Sequence, residues 1–127
     1  HPPGPVKITQ GLWRAGKLIN GSKIFIMSSL MGSISDNGSG SMYGYRSSKC
    51  SVNMMTKCLA MDLKKEGVSA IAIHPGFVAT EMTAGFGHAG GRAPSESAAM
   101  MVNVMESHGI ESTGKYLSYD GGKEESW

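Results

Sequence analysis

The chain has 127 residues, 40% of them hydrophobic and 17% charged, with a formal net charge of +2. That length holds one domain with a modest core. Lysines scattered along the chain at so small a net charge argue against nucleic acid as a partner. No secretory leader is recognisable, and no apolar run is long enough to span a membrane.

In chain order, residues 5–19 read as a helix, with Ile8/Leu12 and Thr9/Trp13 at four-residue spacing and Asn20-Gly21 as its stop. Residues 22–29 contain the apolar run Lys23-Ile24-Phe25-Ile26-Met27 and read as a buried strand that ends on two hydroxyls, Ser28 and Ser29. A polar Gly/Ser loop follows over residues 32–42. Residues 43–66 read as a long helix closed by Lys64-Lys65-Glu66-Gly67. Val52, Met55, Leu59 and Leu63 give it one apolar face, and Met54, Cys58 and Met61 give it another, so burial on two sides is expected. Residues 68–74 read as a second strand, stopped by Pro75-Gly76. Residues 77–94 are irregular, and Ser95 is the expected cap of a helix that carries Ala98, Met101, Val102 and Met105 and stops at His108-Gly109. Residues 115–119 read as a last strand, followed by a polar tail that ends in Trp127. The fold class is therefore α/β, with strands and helices alternating.

Cys50 and Cys58 lie eight residues apart on the long helix. That separation is roughly 12 Å along the axis, too far for a disulfide between them. Free thiols suit a reducing compartment, so a cytoplasmic location is expected. No metal site is expected: His74 precedes Pro-Gly with no second ligand at useful spacing and reads as a buried structural residue, and His88 and His108 read as loop residues without a partner in sequence.

The chemistry gathers around Tyr45-Arg46-Ser47-Ser48-Lys49. A Tyr and a Lys four residues apart share a helix face about one turn apart. An ammonium beside a phenol favours the phenolate, which lowers the pKa of the phenol from about 10 toward neutral and lets it exchange a proton near pH 7. Tyr43 lacks such a partner, since its fourth neighbour is Ser47, and it reads as a packing or substrate-contact residue. In a parallel sheet ligands bind beyond the carboxyl ends of the strands, and Ser28-Ser29, the Tyr45 helix and Pro75-Gly76 all fall at that edge.

Ser28-Ser29, Tyr45 to Lys49 and Pro75-Gly76-Phe77-Val78-Ala79-Thr80, in this order, resemble the C-terminal half of a short-chain dehydrogenase/reductase. The run from Met31 to Ile34, Tyr43 to Lys49, His74-Pro75-Gly76, Tyr119-Asp120-Gly121 and the terminal Trp127 resemble the C-factor/sniffer branch of carbonyl reductase-like proteins. The resemblance covers nearly the whole chain. It implies the C-terminal part of a Rossmann-type doubly wound parallel sheet, with three strands and flanking helices. Residues 1–127 are then the catalytic portion of a single domain. The family's Gly-rich, pyrophosphate-cradling turn has no counterpart here, so the N-terminal dinucleotide-binding half is absent.

The resemblance also implies roles. Tyr45 would protonate the carbonyl oxygen or take the alcohol proton in reverse, Lys49 would support it and bond the nicotinamide ribose, and Ser29 would bond the substrate oxygen. Strand alternation sends Ser28 and Ser29 to opposite sides, so only one of them serves. Val78 and Thr80 would hold the nicotinamide carboxamide, and Pro75-Gly76 would let the backbone approach the cofactor. The implied cofactor is NADP or NAD, and the substrate a small carbonyl or alcohol. The implied assembly is a homodimer through the Tyr45 helix. The isolated chain is expected to be inactive or weakly active. A reading from a different class also stands: a non-enzymatic C-factor-like signalling fragment, or an inactive remnant.

Overall fold

The run Lys23–Met27 and the run Ser69–His74 form strands β1 and β2, and they pair in parallel with Ile24 opposite Ala70 and Met27 opposite Ile73. A short third strand, β3 (Tyr116–Ser118), pairs in parallel with the other side of β2, giving the order β1-β2-β3. The computed structural model describes residues 3–86 and 90–127. Parallel neighbours need crossover connections. Here these are the helices α2 (Tyr43–Leu63) and α3 (Pro94–Ser107), preceded in the chain by α1 (Gly4–Arg14). The sheet is thus a three-stranded piece of a Rossmann-type arrangement, and all three strands end at one edge.

The central strand explains why both faces are covered. Every residue of β2 is buried, as suits its apolar run Ala70-Ile71-Ala72-Ile73. Ile71 and Ile73 join Leu117, Met101 and Val104 in a core under α3, with Phe25 packed beside them. Ala70 and Ala72 alternate to the opposite face, under α2. That helix buries Asn53, Thr56, Ala60 and Leu63. Small residues on both partners bring helix and sheet close. Val52, Met55 and Leu59, the apolar line visible in the sequence, are only half-buried. The second apolar line is exposed: Met54 and Met61 are 66% and 62% accessible.

Some boundaries differ from the sequence reading. Helix α1 stops at Arg14, not near residue 19. Gly16 at φ +67° receives the chain, with its N–H on the Trp13 carbonyl and the Lys17 N–H on the Leu12 carbonyl, a Schellman ending. Asn20-Gly21 instead forms a turn against Gly67, where an added Cβ would collide with the Asn20 side chain. Helix α3 begins at Pro94, with Ala93 as its extended N-cap and no capping side chain, so Ser95 is already inside the first turn. The stretch expected to be irregular contains a 3-10 helix, Glu81–Phe86. The strands are each shorter than read, as ends tend to be.

The tail is ordered by pairing. Glu124 bridges Leu117 in antiparallel fashion, with the Ser118 N–H on the Lys123 carbonyl and the Glu125 N–H on the Tyr116 carbonyl. Trp127 stacks on Tyr116 with centroids 5.4 Å apart and planes 21° from parallel. The outer edge of β3 is therefore closed by the chain's own end. β1 pairs only with β2 and keeps an open edge among the described residues.

Between β1 and α2, Gly32 is the tightest approach. A Cβ there would sit 2.7 Å from the Lys49 backbone carbon and 2.8 Å from the Lys49 Cβ. Gly32→Ala should therefore push the loop off α2 and cost about 2 kcal/mol, as overpacking does. Urea unfolding of the two proteins checks this.

Candidate active site

The carboxyl edge of the sheet brings the sequence-predicted residues into one region. Parallel pairing carries β1 and β2 to the same end, and the Ser28 N–H donates to the Ile73 carbonyl as the last rung between them. Ser28 turns inward and is 3% exposed. Its hydroxyl meets the Asn53 carbonyl oxygen, while the Asn53 amide donates to the Gly32 carbonyl at 3.3 Å. Ser29 turns the other way. It is half-exposed, and its Oγ accepts the Met31 N–H at 3.2 Å as the cap of the 3-10 turn Leu30–Gly32.

Tyr45 and Lys49 occupy the first turns of α2, both half-exposed. The Lys49 Nζ lies 5.8 Å from the Tyr45 ring centroid and 3.5 Å from the Met27 carbonyl at the end of β1. That second contact ties the helix face to the strand tip. Tyr43, two residues earlier at the start of the helix, is 85% exposed.

Arg46, inside the same motif, has a task that spacing alone did not reveal. Its Nε reaches the Gly40 and Ser41 carbonyls at 3.1 Å, and its NH2 reaches the Ser39 hydroxyl at 3.0 Å. These bonds gather the Gly/Ser loop onto the start of α2. The loop needs gathering, because Ser41 and Met42 stand at φ +57° and +54°, where non-glycine residues are strained. A lone arginine beside a Gly/Ser loop was the signal available in the sequence. Asn53 gave none, as a polar residue in a helix is usually on the outside.

At the tip of β2, Gly76 takes φ +75° with its Cα against the Tyr119 ring, so a Cβ would lie 2.5 Å from that ring. Arg92 lies beside the turn, against Tyr119. Its guanidinium carbon lies 5.0 Å from the Tyr119 centroid, and its backbone brackets Val78 through the Arg92 N–H on Phe77 and the Ala79 N–H on Arg92. The Val78 carbonyl accepts the Thr83 hydroxyl at 2.8 Å. The Val78 N–H and the Thr80 hydroxyl have no partner among the described residues, and both sit just past the tip of β2.

Two buried groups support this edge from below. His74 is 3% exposed and lies edge-on to Tyr116 and Tyr119. It contacts the Glu125 carboxylate at 3.4 Å, which agrees with a structural reading of this residue. The Tyr116 hydroxyl is buried with no hydrogen-bond partner among the described residues, and burial drives its phenol pKa upward. Among the described residues no group of three or more His, Cys, Asp or Glu could hold a metal. His108 is not without partners: its Nδ1 lies 2.9 Å from the Val104 carbonyl, and its ring fills the space beside Gly122. His88 lies outside the described residues. Cys50 and Cys58 are free thiols.

The surroundings of His74 predict an acid sensitivity. Burial pulls its pKa below the ordinary 6.5, against the opposing pull of the Glu125 and Asp36 carboxylates; the other faces of the ring meet the phenols of Tyr116 and Tyr119. A His held neutral by the fold contributes stability above its unfolded value, and that contribution is lost as the pH falls below it. Urea midpoints followed between about pH 7.5 and about pH 5 should drop more steeply for the natural protein than for His74→Asn, which cannot titrate. Parallel slopes would contradict the assignment.

Comparison with known proteins places this edge in a familiar setting. The sequence profile of the short chain dehydrogenase family matches residues 3–89. The 1-hydroxy-2-glutathionyl-2-methyl-3-butene dehydrogenase of Rhodococcus sp. (strain AD45) is 39% identical over 82% of this chain and 46% of its own length. The C-signal protein of Myxococcus xanthus is 33% identical over 93% of this chain and 69% of its own. In structure, the NADPH-bound carbonyl reductase from chicken fatty liver superposes with a TM-score of 0.84 at 28% identity, covering 97% of this chain and 52% of that one. The chain spans about half the length of most of the curated relatives it matches. With a profile match over more than half its residues and a parallel sheet that superposes on a reductase, the chain belongs to the short chain dehydrogenase family of oxidoreductases.

Proposed function

We propose that this chain carries the catalytic half of an NAD(P)-dependent short-chain oxidoreductase acting on a small carbonyl or alcohol. The observation that carries the reading is the Tyr45–Lys49 pair on the first turns of α2, tied by Lys49 to the carboxyl end of β1. Ser29, with its Oγ toward the open side and its hydroxyl proton uncommitted among the described residues, is the partner for the substrate oxygen. Ser28 is occupied inside the fold.

The free groups at the strand tips suit a nicotinamide dinucleotide. An ammonium on Lys49, an N–H on Val78 and a hydroxyl on Thr80 are donors of the kind a ribose and a carboxamide accept. Such a cofactor, NADP or NAD, supplies or accepts the hydride when bound; an NADPH complex of a similar protein supports the choice. In the carbonyl direction, Ser29 donates a hydrogen bond to the carbonyl oxygen and Tyr45 delivers a proton to it. Lys49, one helical turn away, stabilises the charge that the phenol oxygen then carries. In the alcohol direction Tyr45 takes that proton back. Arg46 keeps the Gly/Ser loop in place beside Tyr45. The exposed line of Met54, Cys58 and Met61 on α2 supports a homodimer through this helix.

The likeness to C-signal favours a second reading, in which the chain acts in signalling without turnover. Substitution separates the two. The chain spans half of most relatives, so turnover is measured with it joined to a dinucleotide-binding half. There, Tyr45→Phe should cut carbonyl reduction about 10²-fold or more, since the ring stays and the proton donor goes. Lys49→Met should lower the rate and move its pH optimum upward. Wild-type turnover in both variants would place the chemistry elsewhere.

A further inference from the structure

Below the Pro75-Gly76 turn lies a chain of polar contacts that no catalytic role uses. The Gly76 N–H donates to the His74 Nδ1 at 3.2 Å. A nitrogen that accepts cannot carry a proton, so the neutral ring must hold its hydrogen on Nε2. Nε2 faces Oε1 of Glu125 at 3.4 Å. Glu125 is itself held by its own N–H on the Tyr116 carbonyl, within the tail segment that closes β3. The tail is fastened further on: the Ser33 hydroxyl donates to the Ser126 carbonyl at 2.8 Å, and the Ser35 hydroxyl to the Trp127 carbonyl at 2.9 Å. The turn at the other end of this chain has little freedom. Gly76 needs φ +75° and sits against the Tyr119 ring, so the direction of its N–H decides how the backbone of residues 75–78 meets a ligand.

The geometry points to His74 as a positioning residue. The Glu125 carboxylate selects the Nε2–H tautomer, and the Nδ1 lone pair thereby left free pins the Gly76 N–H and fixes the turn that receives the nicotinamide. An imidazole can hold one tautomer this way only if the hydrogen on one nitrogen has a committed acceptor. The buried, nearly dry position makes both contacts stronger than they would be in water. This inference rests on the oxidoreductase reading for its last step and on the structure alone for the relay.

Two substitutions divide the ring's two functions. His74→Asn places an amide oxygen near Nδ1 and keeps an acceptor for Gly76 while giving up Glu125. His74→Gln reaches toward Glu125 and leaves the Gly76 N–H without its acceptor. The unaltered protein needs no variant for the first measurement: nitrogen-15 NMR of the His74 ring should show a protonated Nε2 and a bare Nδ1 at pH 7. Amide hydrogen exchange at Gly76 should then be about tenfold faster in His74→Gln and close to the natural rate in His74→Asn. Nicotinamide mononucleotide, titrated by NMR, should bind several-fold more weakly to His74→Gln than to His74→Asn. A bare Nε2, equal Gly76 exchange in the two variants, or equal mononucleotide affinity would overturn the proposal. If the chain joined to a dinucleotide-binding half takes up no mononucleotide, the oxidoreductase reading fails, and the ring spectrum and the Gly76 exchange still decide the relay.

Discussion

The hydrogen bond from the Ser28 N–H to the Ile73 carbonyl, at 2.7 Å, is the rung on which the edge of this molecule depends. It closes the parallel ladder between β1 and β2 and sets the register in which Met27 faces Ile73. With that register the next residues of both strands emerge together, Ser28-Ser29 from one and His74-Pro75-Gly76 from the other. A slip of one residue would exchange Ser28 for Ser29 between the inner and outer faces. The buried bond of Ser28 to Asn53 resists such a slip, because breaking it would leave two buried polar groups unpaired.

From that rung the remaining constraints run outward. Asn53 joins the tip of β1 to the loop through the Gly32 carbonyl, and Gly32 allows the loop to touch the backbone at Lys49. Lys49 returns to β1 at the Met27 carbonyl. The side chains proposed for chemistry are therefore held by neighbours that are buried or backbone-bonded, while their own reactive atoms stay half-exposed. Among the described residues, positive φ at non-glycine positions is confined to Ser41 and Met42, where the loop enters α2 and where Arg46 holds it. Tail and sheet are linked in the same manner, with Trp127 against Tyr116 and Glu125 beneath His74.

Much of this was legible in the sequence because it rests on local patterns. The β-branched and aromatic run of β1 and the Ala/Ile run of β2 gave the strands; Tyr45 and Lys49 at helical spacing gave the pair; Pro75-Gly76 gave the strand stop. What escaped depends on contacts between distant residues. The sheet face of α2 is made of Asn53, Thr56 and Ala60, which hydropathy does not mark, and only the alanines of β2 explain it. Glu125, in a tail that reads as polar and featureless, meets His74 across 51 positions. Helix α1 ended early because Gly16 and not Asn20-Gly21 supplied the left-handed residue. Ser95 looked like a cap by type, but Pro94 had already opened the helix.

The central claim is that one edge of the sheet, and no other surface, receives the nicotinamide end of a dinucleotide. The most direct test is an amide-resolved NMR titration of the protein with NADPH, which detects even weak binding. The account predicts shifts that cluster on Ser29, Tyr45, Lys49, Gly76, Val78 and Thr80, at the carboxyl ends of β1 and β2 and the start of α2. Shifts confined to the groove between α1 and α2, where Trp13 meets Glu66, or to the opposite ends of the strands, would contradict it.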